Sequence, residues 1–418
     1  MSTLEWSSSG VGILSIVIAI LIYLAFRKKV FGVLDPMTYF LITRMAPLAA
    51  VIVLMLSPQA DTNSFFWLMV VSALIFIGTL WMSTSHIKPQ PVLCDDGILR
   101  ELFQAAVGVI LLKLFLLLTS SGTLPIFGQS GSNSYIDFDM ENKFASSLLL
   151  AIHSSEVILL SFMIPLTRGK TQFTLILLLV LALLLALADG KKSSLLTLLI
   201  SIALGEYLRI NFIQQQHRYF LKPTVLLSFC IGVFGWAGWI YSRTGGDISR
   251  FGLDSGLLLD LIYLQWAYPF FLFASGELSS FFDIYEVNRL IYFFHTILSP
   301  LGFPAFSASI GPALHEFQTG GLTGNGINPT FILEGYVLFE IFMPFYAAAL
   351  AFSIGRIRNY LLLRTSLRKK VLYSALFLPT IYVAPVDALL FMKMIYGLIL
   401  LLPLMYFFMW ITKAWQVR

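Results

Sequence analysis

Long apolar runs alternate with short polar segments along most of the chain. About eleven of them can be followed, at about 10–21, 36–56, 65–82, 102–119, 147–166, 172–188, 194–208, 223–241, 328–354, 371–389 and 394–411. A helix needs about 20 mainly apolar residues to cross a bilayer, and shorter runs indicate tilted or ragged spans. In lipid each backbone N–H and C=O needs a partner within its own segment, so these runs are predicted to be helical. The pattern predicts an all-α polytopic bundle of about 11 transmembrane helices, within a range of about 10–13.

One segment, 242–327, is far longer than the other connections. It contains two aromatic-rich apolar stretches, 257–274 and 290–303, that are interrupted by Asp, His and Pro. Because Trp and Tyr favour the membrane–water interface, we expect helices lying at that interface, with a membrane hairpin as the alternative. The chain is thus divided into an N-terminal bundle at 1–241 with about eight spans, this loop, and a C-terminal part at 328–418 with about three.

Composition narrows the class of protein. The chain is 58% hydrophobic and only 12% charged, against about 25% charged residues in soluble proteins. This disfavours a soluble enzyme, a disordered chain and, with two cysteines, a disulfide scaffold. The net charge of +5 does not indicate nucleic-acid binding, because membrane proteins collect Lys and Arg in their cytoplasmic loops.

The distribution of Lys and Arg predicts the orientation. If the N-terminus is outside, the inside segments contain about three times as many Lys and Arg residues as the outside segments. The long loop is then outside and the C-terminus inside.

Several cations nevertheless fall on the predicted outer side. Lys191 and Lys192 occupy a very short turn where a helix begins, and Arg243 directly follows a span. Arg250 and Arg289 lie further along the long loop. Helix N-termini and the planar fork of arginine both favour phosphate groups, so these cations are candidates for an anion site. The alternative is that they are interface residues whose charged ends reach water.

The end of the long loop is the most distinctive part of the sequence. Five glycines between 311 and 326 exclude a helix there, and Asn328 followed by Pro329 predicts a helix start. Glu334 and Tyr336 fall in the first two turns of that helix, where we expect them to face the outer surface. His315 and Glu316, shortly before the glycines, add titratable groups.

No nucleotide-binding or covalent-catalysis motif and no metal-ligand spacing is present. Within the spans, charged or titratable side chains should face the bundle interior in pairs, since they are costly in lipid. Glu156 is expected to pair with Arg44 or Lys113, a structural ion pair being favoured over a transport pathway. The full set is Arg44, Lys113, His153, Glu156, Asp387 and Lys393.

The run from Gly320 to Tyr336, the layout of about eleven spans and the late outer loop resemble the bacterial O-antigen polymerases. The Gly190-Lys191-Lys192-Ser193 turn is similar in position to a short basic turn of that family, which has Arg where Lys stands here. The resemblance implies a glycosyltransferase C-like bundle in the bacterial inner membrane with a periplasmic N-terminus and a cytoplasmic C-terminus. It also implies polymerisation of undecaprenyl-diphosphate-linked repeat units at the periplasmic face, without cofactor or metal.

The implied partners are the lipid-linked oligosaccharide, the bilayer and a chain-length regulator protein. For such a reaction the outer cations Lys191, Lys192, Arg243, Arg250 and Arg289 would bind the leaving diphosphate. His315 would be the general base, or else Glu334 or Glu316, and Asn325, Asn328 and Tyr336 would orient sugars. A lipid-linked oligosaccharide flippase and an O-antigen ligase remain alternatives, whereas a small-solute transporter would be expected to show internal repeats.

Overall fold

The computed structural model describes residues 8–30, 63–86, 90–121, 154–188, 192–213, 330–363 and 366–383, with scattered single positions elsewhere. These ranges are helical and contain no strand, apart from an isolated bridge between Val92 and Ile213. In chain order the α-helices are α1 (Ser8–Phe26), α2 (Asn63–Ser83), α3 (Asp96–Ser121), α4 (Ser155–Met163), α5 (Gly169–Ala188), α6 (Lys192–Phe212), α7 (Thr330–Phe339), α8 (Met343–Leu363) and α9 (Leu367–Val383). Short 3₁₀ turns follow α4 at Ile164–Leu166 and α7 at Glu340–Phe342.

Three helical stretches are long and apolar enough to cross a membrane: Phe66–Ser83, Asp96–Leu118 and Thr330–Leu363. The prediction of an all-helical membrane protein is confirmed at this coarse level. The runs at 36–56, 223–241 and 394–411 and the loop stretches 257–274 and 290–303 fall largely or wholly outside the described ranges.

The chain forms two compact units. The first comprises residues 1–87, 247–359 and 381–392, and the second 88–246, 360–380 and 393–418.

In the first unit a polar network joins the C-terminal ends of α1, α2 and α8. The ammonium of Lys29 donates to the carbonyl oxygens of Trp81 and Thr84, the latter at 2.8 Å, and lies 4.0 Å from the centre of the Trp81 ring. Arg358 binds Asp35 at 2.7 Å, and Asn359 donates to the Ser83 carbonyl at 2.6 Å. Burial lowers the pKa of Lys29 from its ordinary value. The distribution of Lys and Arg predicts that all three helix ends lie on the same side of the membrane.

In the second unit α4 is the central helix, in contact with α3, α5 and α6. All nine of its residues are buried. A Cβ atom at Gly205 of α6 would lie only 2.7 Å from the Ile158 carbonyl oxygen, so glycine allows the two backbones to approach closely. Asp95 caps α3 by accepting from the Ile98 N–H at 2.7 Å.

The predicted single span at 328–354 is two helices. The chain breaks at Glu340–Phe342, where Glu340 has a positive φ of 44° and Pro344 follows in the first turn of α8. Helix α7 has 10 residues and so extends about 15 Å, half the thickness of a hydrocarbon core. The hydrophobic pattern does not predict this break, because the sequence on both sides of it is apolar.

Candidate functional site at the start of α7

Helix α7 begins inside the first unit. Thr330, Phe331, Ile332 and Leu333 are all fully buried. The Phe331 ring stacks on Phe76 of α2 at 4.2 Å between centroids and an interplanar angle of 26°. Phe76 is seven residues from the end of α2 and thirteen from its start, so the first turn of α7 packs against the interior of that helix.

Glu334 lies in the second turn and is only 1% exposed. The Tyr346 hydroxyl donates to its Oε2 at 3.4 Å. The Tyr346 ring also stacks on Phe339 at 4.8 Å. This carboxylate is therefore buried beside the Tyr346 ring, and in a buried setting charge interactions are stronger than in water.

Tyr346 reaches Glu334 because the helix is broken at Glu340–Phe342. In a continuous helix residues 335 and 346 would be about 16 Å apart. Here a Cβ atom at Gly335 would lie 2.8 Å from Cδ1 of Tyr346, so α8 packs closely on α7. Only glycine leaves room for the ring at this position.

The first residue of α7 is unusual in two respects. Thr330 has a φ of 57°, which is rare for a β-branched residue. Its hydroxyl oxygen is buried and makes no hydrogen bond in the part of the chain that the structure describes. The first N–H groups of a helix have no partner within it and form its positive end. The start of α7 thus combines a buried hydroxyl, a helix dipole and, one turn later, a buried carboxylate.

Two of the sequence-predicted site residues, Glu334 and Tyr336, lie together on α7 as expected. Glu334, however, is buried rather than facing an outer surface, because α7 starts against α2. The side chains of the other predicted site residues are outside the described set, although the backbone of Lys192 begins α6 as predicted. These residues are His315, Glu316, Lys191, Lys192, Arg243, Arg250, Arg289, Asn325 and Asn328.

Sequence analysis missed Tyr346 and Thr330. Pro344 gave a usable signal for Tyr346, since proline favours the first turn of a helix and therefore marks a new start. No pattern in the sequence announces the positive φ of Thr330.

The second unit holds a separate polar group on α3, α4 and α6. Lys113 binds the fully buried Glu156 at 2.5 Å, which confirms Lys113 as one of the two partners expected for it. Ser154, with non-helical φ and ψ of −118° and 30°, precedes α4 and shares a hydrogen bond with Ser201. The second carboxylate oxygen of Glu156 makes no hydrogen bond with any described group.

The described ranges contain no cluster of three or more His, Cys, Asp or Glu residues that could hold a metal ion.

Comparison of the chain with family models, curated proteins and solved structures finds no match. The fold and the two polar groups therefore have to be interpreted from their own geometry. In the part of the chain that the structure describes, they define a helical protein with three stretches long and apolar enough to cross a membrane, and a buried carboxylate on a short helix.

Proposed function

We propose that this chain is a glycan polymerase. It transfers a growing oligosaccharide from undecaprenyl diphosphate to a hydroxyl of the next lipid-linked repeat unit, at the periplasmic face of the inner membrane. The observation that carries the proposal is the buried Glu334 on α7, directly after the Gly-Asn-Pro run that resembles the O-antigen polymerases.

In this reaction the acceptor oxygen attacks the anomeric carbon of the growing chain, and the bond from that carbon to the diphosphate breaks. The acceptor loses a proton, which needs a base. Glu334 is suited to this role because its carboxylate is buried and accepts a hydrogen bond from Tyr346. His315 and Glu316 remain the other candidates for the base.

The diphosphate leaves with its negative charge, so cations or helix N-termini must stabilise it. Lys191, Lys192, Arg243, Arg250 and Arg289 are proposed for that task. The start of α7, with its unpaired N–H groups and the Thr330 hydroxyl, is suited to bind a sugar or phosphate oxygen.

The lipopolysaccharide banding pattern of the producing bacterium tests the proposal. Glu334→Gln should abolish the ladder of long chains while leaving core carrying a single repeat unit. Glu340→Gln is the matched control, since Glu340 is exposed and only six residues away. Its ladder should be normal at equal expression. A normal ladder for Glu334→Gln would exclude Glu334 as the base.

A lipid-linked oligosaccharide flippase is the second candidate, and one observation favours it. Its essential charges would lie within the spans, as Lys113 and Glu156 do. Loss of even the single repeat unit in a well-expressed Glu334→Gln variant would support the flippase. Core without any repeat unit is also the result expected for a ligase, whose acceptor is the lipid A core.

A further inference from the structure

We propose that the start of α9, together with the end of α6, binds the phosphodiester headgroup of an anionic phospholipid. This site is separate from α7 and does not depend on the glycan reaction.

The first turn of α9 concentrates positive charge. Arg368, Lys369 and Lys370 follow one another there, and no acidic residue accompanies them. A helix N-terminus already carries a partial positive charge and normally attracts carboxylates. Three adjacent cations at this position repel one another, so counter-ions stabilise them.

These three cations have different surroundings. Arg368 binds Glu101 of α3 at 2.8 Å and is partly exposed. Lys369 is exposed. Lys370 is only 8% exposed, and its ammonium lies 4.7 Å from the centre of the Phe212 ring. No carboxylate partner of Lys370 occurs among the residues that the structure describes.

A second buried cation lies on the same helix as Phe212. Arg209 lies one helical turn before Phe212 on α6 and is 3% exposed. Its terminal nitrogen binds Glu206 at 2.6 Å. Its Nε–H, in contrast, makes no hydrogen bond within the described ranges. A buried donor left unpaired costs about 1–3 kcal/mol, so an acceptor is expected beside it.

Among the described residues, Arg209 pairs with Glu206 and Arg368 pairs with Glu101, whereas Lys370 has no carboxylate partner. A phosphodiester would supply the negative charge for Lys370 and an acceptor oxygen for the Arg209 Nε–H. Burial lowers the pKa of Lys370, which agrees with a lysine that lacks its counter-ion here.

The position favours a lipid over a soluble phosphate. The group lies where α3 starts, α6 ends and α9 starts, and α3 begins an apolar stretch long enough to cross a membrane. Headgroups lie at the ends of such stretches, and basic pockets between helices at that level bind anionic lipids.

The test uses the full-length protein in vesicles of phosphatidylcholine alone or with phosphatidylglycerol. Phosphatidylglycerol should raise the unfolding temperature of the wild type and should be retained on the purified protein by native mass spectrometry. Lys370→Met should weaken that retention about 10- to 150-fold, the equivalent of one charge-assisted hydrogen bond. Lys369→Met is the matched control, and it should bind within about twofold of wild type because Lys369 is exposed.

A structural role for Lys370 makes the opposite prediction in a lipid-free, non-ionic detergent. There the site has no phosphodiester, so Lys370→Met should be at least as stable as wild type, since it removes a buried unpaired charge. If the variant is instead destabilised in that detergent, Lys370 stabilises the fold without a lipid and the proposal is overturned. Equal losses for Lys369→Met and Lys370→Met, or full protection of wild type by soluble inorganic phosphate, would also overturn it.

Discussion

Lys113 and Glu156 hold opposite charges in an apolar bundle, at a distance of 2.5 Å. Breaking such a pair leaves one buried charge without a partner, which costs about 3–5 kcal/mol. Lys113→Met and Glu156→Gln should each be strongly destabilising, whereas the double variant, which carries no charge, should recover most of the loss. Chemical unfolding of the four proteins in detergent measures this. If the double variant loses the sum of the two single losses, the pair has no coupling energy and the interpretation is wrong.

Cys94 offers a pH-dependent signal outside the spans. Burial, and then the negative charges of Asp95 and Asp96, raise its pKa from 9.0 to about 11. The folded state therefore binds the thiol proton more tightly than the unfolded chain. This contribution to stability is fully present below pH 9 and is lost as the pH rises toward about 11.

In a variant with Cys230 replaced by Ser, the rate of Cys94 alkylation should rise with pH, with a midpoint at about pH 11. Asp95→Asn and Asp96→Asn should lower that midpoint only in part, since burial is the leading cause. A midpoint near pH 9 in the folded protein would show that burial and the two aspartates do not raise the pKa of Cys94.

At the residue scale, the partner of a buried charge could be predicted from the sequence, because an unpaired charge is costly to bury. A glutamate inside an apolar run needs a cation, so Arg44 and Lys113 could be named as the two candidate partners of Glu156, and the structure shows Lys113. The burial of Glu334 could not be predicted, because it depends on how α7 packs against Phe76 of α2. That contact joins residues far apart in the sequence.

At the scale of elements, the candidate site depends on the break between α7 and α8 at Glu340–Phe342. Gly335 leaves room for the Tyr346 ring, which holds Glu334. Gly335→Ala should cost about 1–3 kcal/mol through overlap with this ring and should displace Tyr346 from Glu334. The midpoint temperature of thermal unfolding and the length of the polymer should both decline.

Two comparisons decide whether the overlap is responsible. Gly78→Ala lies in α2 with open space around its Cβ position, so it should be neutral or slightly stabilising. Adding Tyr346→Ala to Gly335→Ala should recover part of the lost stability. No recovery would indicate that Gly335 is needed for a reason other than Tyr346.

Apolar runs located the helices well, but not their ends. The run at 102–119 became α3 at Asp96–Ser121, because the Asp95 cap extends the helix into polar sequence. The run at 147–166 is interrupted at Ser154, where the backbone leaves helical geometry. Breaks within apolar sequence leave no trace in the hydrophobic pattern, so they have to be found from other signals, such as Pro344, or from packing.

At the scale of the whole molecule, orientation is the prediction most open to test. The structure brings the ends of α1, α2 and α8 together, so reporters fused after Ser85 and after Asn359 should lie in the same compartment. The Lys and Arg distribution further predicts that fusions after Asp254 and after Lys370 lie in opposite compartments. If the last two reporters are both cytoplasmic, the orientation is wrong.

Glycan transfer by the isolated protein tests the central claim most directly. The purified chain, in vesicles containing only undecaprenyl-diphosphate-linked repeat units, should produce a ladder of longer lipid-linked glycans and release one undecaprenyl diphosphate for each bond formed. Glu334→Gln should slow both products in parallel, while Glu340→Gln should not. Movement of the lipid-linked units across the membrane without any ladder would contradict the polymerase and identify a flippase instead.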